Sequence, residues 1–205
     1  MQKVHQENLS AICRLYRKDC LSVGVIADRY NVSSDAMFYF FRKNRIKRRS
    51  MKECNNIVFA RKDKTFFLKT KLNLKENLLK TAGVMLYWGE GSKWDGEKIV
   101  DFVNSSPEMI RVFLSFLRKI CGISEEKLRV FLYCYADQDI EELIDYWSKV
   151  TKISKRQFTK PYVKKNLGVK KIGKMKYGVV HIRYNDKKLL ILLKNLIEEF
   201  TKKLT

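Results

Sequence analysis

Glu90 sits in a position that is electrostatically poor for a carboxylate. It lies in Trp88-Gly89-Glu90-Gly91-Ser92-Lys93, at the end of a helical pattern running from Asn73 through Leu74, Leu78, Leu79, Ala82, Met85 and Leu86. The two glycines permit the helix to stop there, so the carboxylate meets the negative end of the helix dipole, unfavourable by roughly 0.3–1 kcal/mol. Free carbonyls at a helix end, joined by a carboxylate, make an oxygen-rich corner suited to Mg²⁺ or Ca²⁺. The other reading is an exposed glutamate beside Lys93, neutralised by solvent and by the positive excess of the chain.

A second group of residues has the chemistry of base and phosphate contact. Leu9, Ile12, Cys13 and Tyr16 recur at helical spacing, a second helix reads Ser22 to Tyr30, and a third runs from Ser34 to about Asn44. Asn31 falls where the intervening turn needs a left-handed residue, and Ser33 or Ser34 can cap the third helix. Ile26, Ala27, Tyr30, Val32, Met37 and Phe40 or Phe41 would form the shared core. The spacing predicts a helix-turn-helix whose last helix enters the major groove. Its exposed face would be Ser34, Asp35, Phe38, Tyr39 and Arg42. Phe38 and Tyr39 would press on thymine methyls, while Arg42 and Lys43 reach guanine edges or phosphate; alternatively Phe38 pairs with Phe41 inside the protein. Arg45-Ile46-Lys47-Arg48-Arg49 follows directly and would grip phosphates. From Arg42 to Lys71 there are 12 basic and two acidic residues, read as a linker that tracks nucleic acid.

The composition points the same way. Across 205 residues, 43 Lys and Arg against 22 Asp and Glu give +21, an excess whose commonest use is to displace counterions from a polyphosphate. Lys152 to Lys176 alone holds 10 basic and no acidic residues, with Phe158, Tyr162 and Tyr177 in or beside it. Arg156, Lys160, Lys164 and Lys165 are its expected phosphate contacts. No apolar run is long enough to span a bilayer, and the first residues lack a signal-peptide core, so no membrane partner and a cytoplasmic, nucleoid-associated location are expected. The five cysteines include no Cys-x-x-Cys pair and are read as reduced thiols, without a zinc site.

The elements that must position these residues divide into residues 1–50, the helix-turn-helix domain; 51–73, a basic linker; and 74–205, a larger domain. In the last, helices are expected over Asn73 to Glu90, from Pro107 to Ile120, from Ile140 past Trp147, and from Leu189 to Phe200. Strands are expected at Lys98 to Asn104, Leu128 to Tyr135, Phe158 to Val163 and Tyr177 to Tyr184. Ser106 and an Asp139–Glu142 capping box would start two of the helices. The order α-β-α-β-α-β-β-α is an α+β domain of packed layers.

Gly83-Val84-Met85-Leu86-Tyr87-Trp88-Gly89-Glu90-Gly91-Ser92 resembles the LAGLIDADG motif in its variant ending Gly-Glu-Gly, and Phe102 to Ile110 is similar to the second strand and following helix start of that family. The resemblance covers about Lys75 to Lys203. It implies an αββαββα-type half-domain, here with an extra helix, whose motif helix packs on its partner and whose terminal acid binds Mg²⁺ at the DNA. Glu90 would be that metal-binding and catalytic acid, with Gly89 and Gly91 the small residues of the turn. The family's basic residues near the scissile phosphate have no fixed spacing, so Lys93, Lys98, Lys160 and Arg183 are candidates without a motif position, and Lys93 is the one given a catalytic role. Two positions depart from the pattern: the third is Met85 instead of glycine, and one motif is present, so that cutting both strands needs a second subunit in a homodimer.

Two functions follow. The first is a homing-endonuclease-like, Mg²⁺-dependent nuclease acting on a specific site in double-stranded DNA. The second is a non-catalytic DNA-binding regulator or mobile-element accessory protein on the same fold. Structured RNA is a further target for a basic surface with aromatics.

Overall fold

Serine hydroxyls set where the second and third helices begin. In the computed structural model, which describes residues 4–164 and 175–204, the chain forms two compact units, Met1–Asp63 and Lys64–Thr205. The first holds α1 (Leu9–Arg17), α2 (Val23–Arg29), α3 (Ser34–Lys43) and α4 (Met51–Arg61). Ser22 accepts the Val25 amide and Ser33 that of Ala36, each satisfying an orphan N–H of a first turn. Asn31 is left-handed, with φ 53°. It lets Val32 N–H reach back to Ala27 O (3.0 Å) and Asn31 N–H to Asp28 O (3.1 Å), the paired bonds of a Schellman ending. α3 ends the same way: Arg45 (φ 52°) is the left-handed residue, Ile46 bonds Phe41 O and Arg45 bonds Arg42 O. Ile12, Tyr16, Val23, Ile26, Ala27, Met37, Phe40, Phe41 and Ile46 are the core, with Tyr16 edge-on to Phe41 at 4.8 Å. Tyr30 and Val32 pack at its margin.

Residues 51–73 are not the expected linker. Ser50 and Glu53 close a full capping box at the start of α4. After the helix, Thr65 to Lys69 already belongs to the second unit: Phe67 N–H donates to Cys121 O and Lys69 N–H to Ile120 O (2.8 Å), and Phe66 bridges Ile123. Thr65 is held by its amide and hydroxyl to the Asp186 carboxylate (3.0 and 2.8 Å) and accepts the Tyr184 hydroxyl at its carbonyl.

The second unit is mixed α+β, in the order α5 (Leu74–Glu90), β1 (Val100–Asn104), α6 (Pro107–Lys119), β2 (Leu128–Tyr135), α7 (Ile140–Thr151), β3 (Tyr162–Lys164), β4 (Val179–Tyr184) and α8 (Lys187–Leu204). One sheet results, ordered β1-β4-β2-β3, with β4 antiparallel to both neighbours and β2 parallel to β3. Asp139 caps α7 by accepting the amides of Glu141 and Glu142, without a reciprocal bond from Glu142. The strand expected at Phe158 to Val163 begins only at Tyr162, because Pro161 has no N–H for the ladder and Lys155–Gln157 forms a 3₁₀ turn; Phe158 contributes one isolated bridge to Val130.

Period-two alternation in the strands decides what each face of the sheet does. Val100, Phe102, Leu128, Val130, Leu132, Cys134, Val180, Ile182 and Tyr184 point to one face and share a core with helix residues such as Tyr87, Phe113, Phe116, Trp147 and Leu193. Gly83 lets α5 approach α6, since a Cβ there would overlap the Phe116 ring. The alternate residues form a second face, and the described helices of this unit pack on the first one.

Candidate nucleic-acid interface

α3 separates its residues cleanly. Met37, Phe40 and Phe41 are buried, whereas Ser34, Asp35, Tyr39, Arg42 and Lys43 face solvent. Arg45, Lys47 and Arg48 continue the exposed cationic run. Two expectations need correction. The Phe38 ring is half-buried beneath Arg48, whose guanidinium lies 4.4 Å from its centroid, so it is not a free face for a thymine methyl. Arg49 is an internal strut: it stacks on Tyr16 at 4.1 Å, its side chain donates to Leu21 O, and its backbone N–H donates to the Tyr16 hydroxyl at 2.7 Å. A guanidinium committed in this way is not available to phosphate.

The uncovered sheet face carries the second concentration of suitable groups. β2 supplies Arg129, Phe131, Tyr133 and Tyr135, β3 supplies Tyr162 and Lys164, β4 supplies His181 and Arg183, and β1 supplies Asp101. Tyr133 and Tyr162 stack with centroids 5.0 Å apart, and Tyr135 stands edge-on to Tyr133. Stacked rings beside cations suit base and sugar contact, while the guanidinium and ammonium groups suit phosphate.

Of the sequence-derived contacts, Lys164 and Arg183 lie on this face. Arg156 sits on the exposed 3₁₀ turn before β3, and Lys160 is exposed on the approach to that strand. Lys165 lies outside the described residues. Arg129, Phe131, Tyr133, Tyr135, Tyr162 and His181 were missed as surface-formers, although the alternation of Leu128 to Tyr135 puts all four of its larger polar and aromatic side chains on one side.

On the β1 side of this face is a buried acid. Asp101 is only 8% exposed. Its carboxylate accepts Arg183 Nε at 2.9 Å and lies 3.1 Å from His181 Nδ1. Burial alone would raise its pKa, but the hydrogen bond and charge of His181, with those of Arg183, outweigh it and hold the group below its ordinary value. Arg183 also stacks on Phe131 at 4.6 Å, and the His181 ring stands edge-on to the same phenyl at 5.2 Å.

Glu90 lies at the edge of the sheet. Gly91, next in the chain, bridges Phe102 on β1, and Ser92 N–H donates to Asp101 O at 2.9 Å. The Glu90 side chain is exposed and makes no hydrogen bond or ion pair among the described residues. Lys93 does not pair with it. Its ammonium instead donates to Gly91 O at 2.6 Å, with Tyr87 O at 3.4 Å, and so occupies the helix-end carbonyls that the sequence reading gave to a metal. Among the described residues no three His, Cys, Asp or Glu side chains gather into a metal-holding group. Within one chain the donors do not fit a resident divalent ion, because there is one carboxylate and the adjacent carbonyl already has a cation. Tyr87 is buried, and its phenol, donating to Ser92 O at 2.8 Å, is pushed well above the ordinary tyrosine range, first by burial and then by Glu97 and Asp101.

The outer side of α5 is apolar and, among the described residues of this unit, uncovered. Leu74 (86% exposed), Leu78 (71%), Met85 (38%) and Trp88 (40%), with exposed Thr81 between them, follow one another at steps of four, three, four and three residues. This is the spacing of a helix-pairing seam. Gly89 adjoins it, with open space where a Cβ would be.

All five cysteines are free thiols. No helix among the described residues is long and apolar enough to cross a membrane. Comparison of the chain with protein-family models, curated proteins and solved structures finds no match.

Proposed function

We propose that this chain is a double-stranded-DNA-binding protein that works as a homodimer, pairing a helix-turn-helix reader with a LAGLIDADG-like α+β domain. What carries the reading is that each unit sets cationic and aromatic side chains on a face left open by its own elements: Ser34, Tyr39, Arg42 and Lys43 on α3, and Tyr133, Tyr162, Lys164 and Arg183 on the sheet. The LAGLIDADG resemblance gains support from the order of elements. Counting the Gly91 bridge as a short first strand, and α7 with β3 as an insertion, the second unit runs α-β-β-α-β-β-α. A second copy is the natural occupant of the α5 seam, because it covers four exposed apolar side chains and brings together the ends of two helices that each carry one acid.

The third helix supplies sequence discrimination, and the sheet adds affinity through phosphate and sugar contact. If about six cations neutralise phosphates, affinity falls by roughly a thousandfold from low to physiological salt. The test is anisotropy titration of duplex DNA selected from a random pool, against single-stranded DNA and structured RNA of equal length. Arg42→Ala is expected to weaken the selected duplex by about 1–3 kcal/mol and to relax selection. Equal binding to all three polymers, unaffected by Arg42→Ala, contradicts the reading.

One observation favours the nuclease as a second reading. In a chain of charge +21 the Glu90 carboxylate takes no cation among the described residues, and two such acids in a dimer, with DNA phosphate, would double the donor set. Mg²⁺ held there would activate water for phosphodiester hydrolysis. Incubation of the selected duplex with Mg²⁺ decides it: cleavage lost in Glu90→Gln supports catalysis, and binding without cleavage in both proteins leaves the regulator.

A further inference from the structure

The Asp101, His181 and Arg183 cluster does not belong to the Glu90 corner, and its charge depends on one proton. Asp101 and Arg183 neutralise each other, so with a neutral imidazole the cluster carries no net charge, and with an imidazolium it carries one positive charge. Each basic partner spends one N–H on the buried carboxylate. His181 keeps Nε2, and Arg183 keeps its terminal nitrogens, for a ligand on the open face. Phe131 holds both in place, stacked under the guanidinium and edge-on to the imidazole. Around His181 the cross-strand neighbours are Val103 on β1 and Phe131 on β2; the charged and titratable groups in reach are Asp101, Arg183, Arg129 and Tyr133.

We propose that His181 and Arg183, fixed by Asp101, form a phosphodiester-binding station whose electrostatic grip is switched on by protonation of His181. This rests on the DNA-binding reading above and adds to it which backbone contact responds to pH. A phosphate seated against Nε2 favours the imidazolium, so phosphate and proton bind cooperatively. Asp101 touches no ligand and acts as a positioning residue.

The experiment is duplex anisotropy titration over about 50 to 200 mM salt, at about pH 6 and about pH 8. For the wild type, the slope of log affinity against log salt should be steeper by about 0.9 at the lower pH, the signature of one more neutralised phosphate. His181→Gln should give the same slope at both pH values, which also removes His5 as the source. Asp101→Asn removes the neutralising charge and keeps one amide oxygen, enough to accept from Arg183 Nε. At the higher pH it should show the slope that the wild type shows at the lower one. A wild-type slope independent of pH, or a pH effect that survives in His181→Gln, overturns the station while leaving DNA binding intact. Absence of duplex binding at either pH removes both proposals.

Discussion

Replacing Leu78 with Asp should separate two copies of the chain without unfolding either. Leu78 is 71% exposed and lies on the side of α5 opposite Gly83, away from the core. Full burial of a leucine side chain is worth about 1.5–3 kcal/mol, so covering the remaining exposed part yields about 1–2 kcal/mol per copy. A two-fold dimer contains the residue twice, giving about 2–4 kcal/mol and a Kd about 30- to 1,000-fold weaker from loss of apolar burial alone. A charge in an apolar seam adds to this. Because the side chain makes no core contact, the stability of the monomer should change by no more than about 0.5 kcal/mol. Sedimentation equilibrium across a dilution series reads the association, and thermal melting at low concentration reads the fold. A wild type that is monomeric at every concentration, or a variant that dimerises as well as the wild type, refutes the assignment of a second copy to this seam.

Three further outcomes follow from other parts of the molecule. Gly83→Ala, on the opposite side of the same helix, forces a Cβ into the fully buried Phe116 ring and should destabilise the second unit by about 1–3 kcal/mol in chemical denaturation. Arg45→Gly relieves a left-handed non-glycine residue, so the first unit should gain about 1 kcal/mol while duplex affinity falls, two opposite signs measured on one variant. Asp186, buried at the start of α8, accepts from Thr65 and from the amides of Lys188 and Leu189; burial would raise its pKa, but these bonds outweigh it and lower it. A depressed acid stabilises above its unfolded pKa, and that contribution is lost as pH falls through the folded value. Acid titration of stability should therefore show a loss below about pH 4 that is reduced in Asp186→Asn.

The sequence made local features legible and distant ones obscure. The helix start at Ser33, the left-handed Asn31 and the order of elements after Asn73 are written in neighbouring residues, and the structure follows them. The Ser50–Glu53 capping box is equally local, but it lies inside a run of 12 basic residues from Arg42 to Lys71, a charge pattern that also fits a solvated linker. The positions of Arg49 and of the Asp101 cluster were not readable, because Tyr16 lies 33 residues from Arg49 and His181 lies 80 residues from Asp101. Alternation in β2 divided its residues into two sets, yet which set stays uncovered depends on where the helices pack, a property of the whole unit. At Lys93 the spacing puts a cation beside the end of α5, but the direction of its ammonium, toward Gly91 O instead of Glu90, depends on the path of the turn.

Oxidative footprinting of the side chains, with and without bound duplex, examines the two surfaces at once. Tyr39 on α3 and Tyr133 with Tyr162 on the sheet should be protected together, while Tyr146, among the acidic residues of α7, should react as before. Protection confined to Tyr146, or an unchanged pattern at Tyr39, Tyr133 and Tyr162 under saturating DNA, would place the polymer elsewhere and contradict the account.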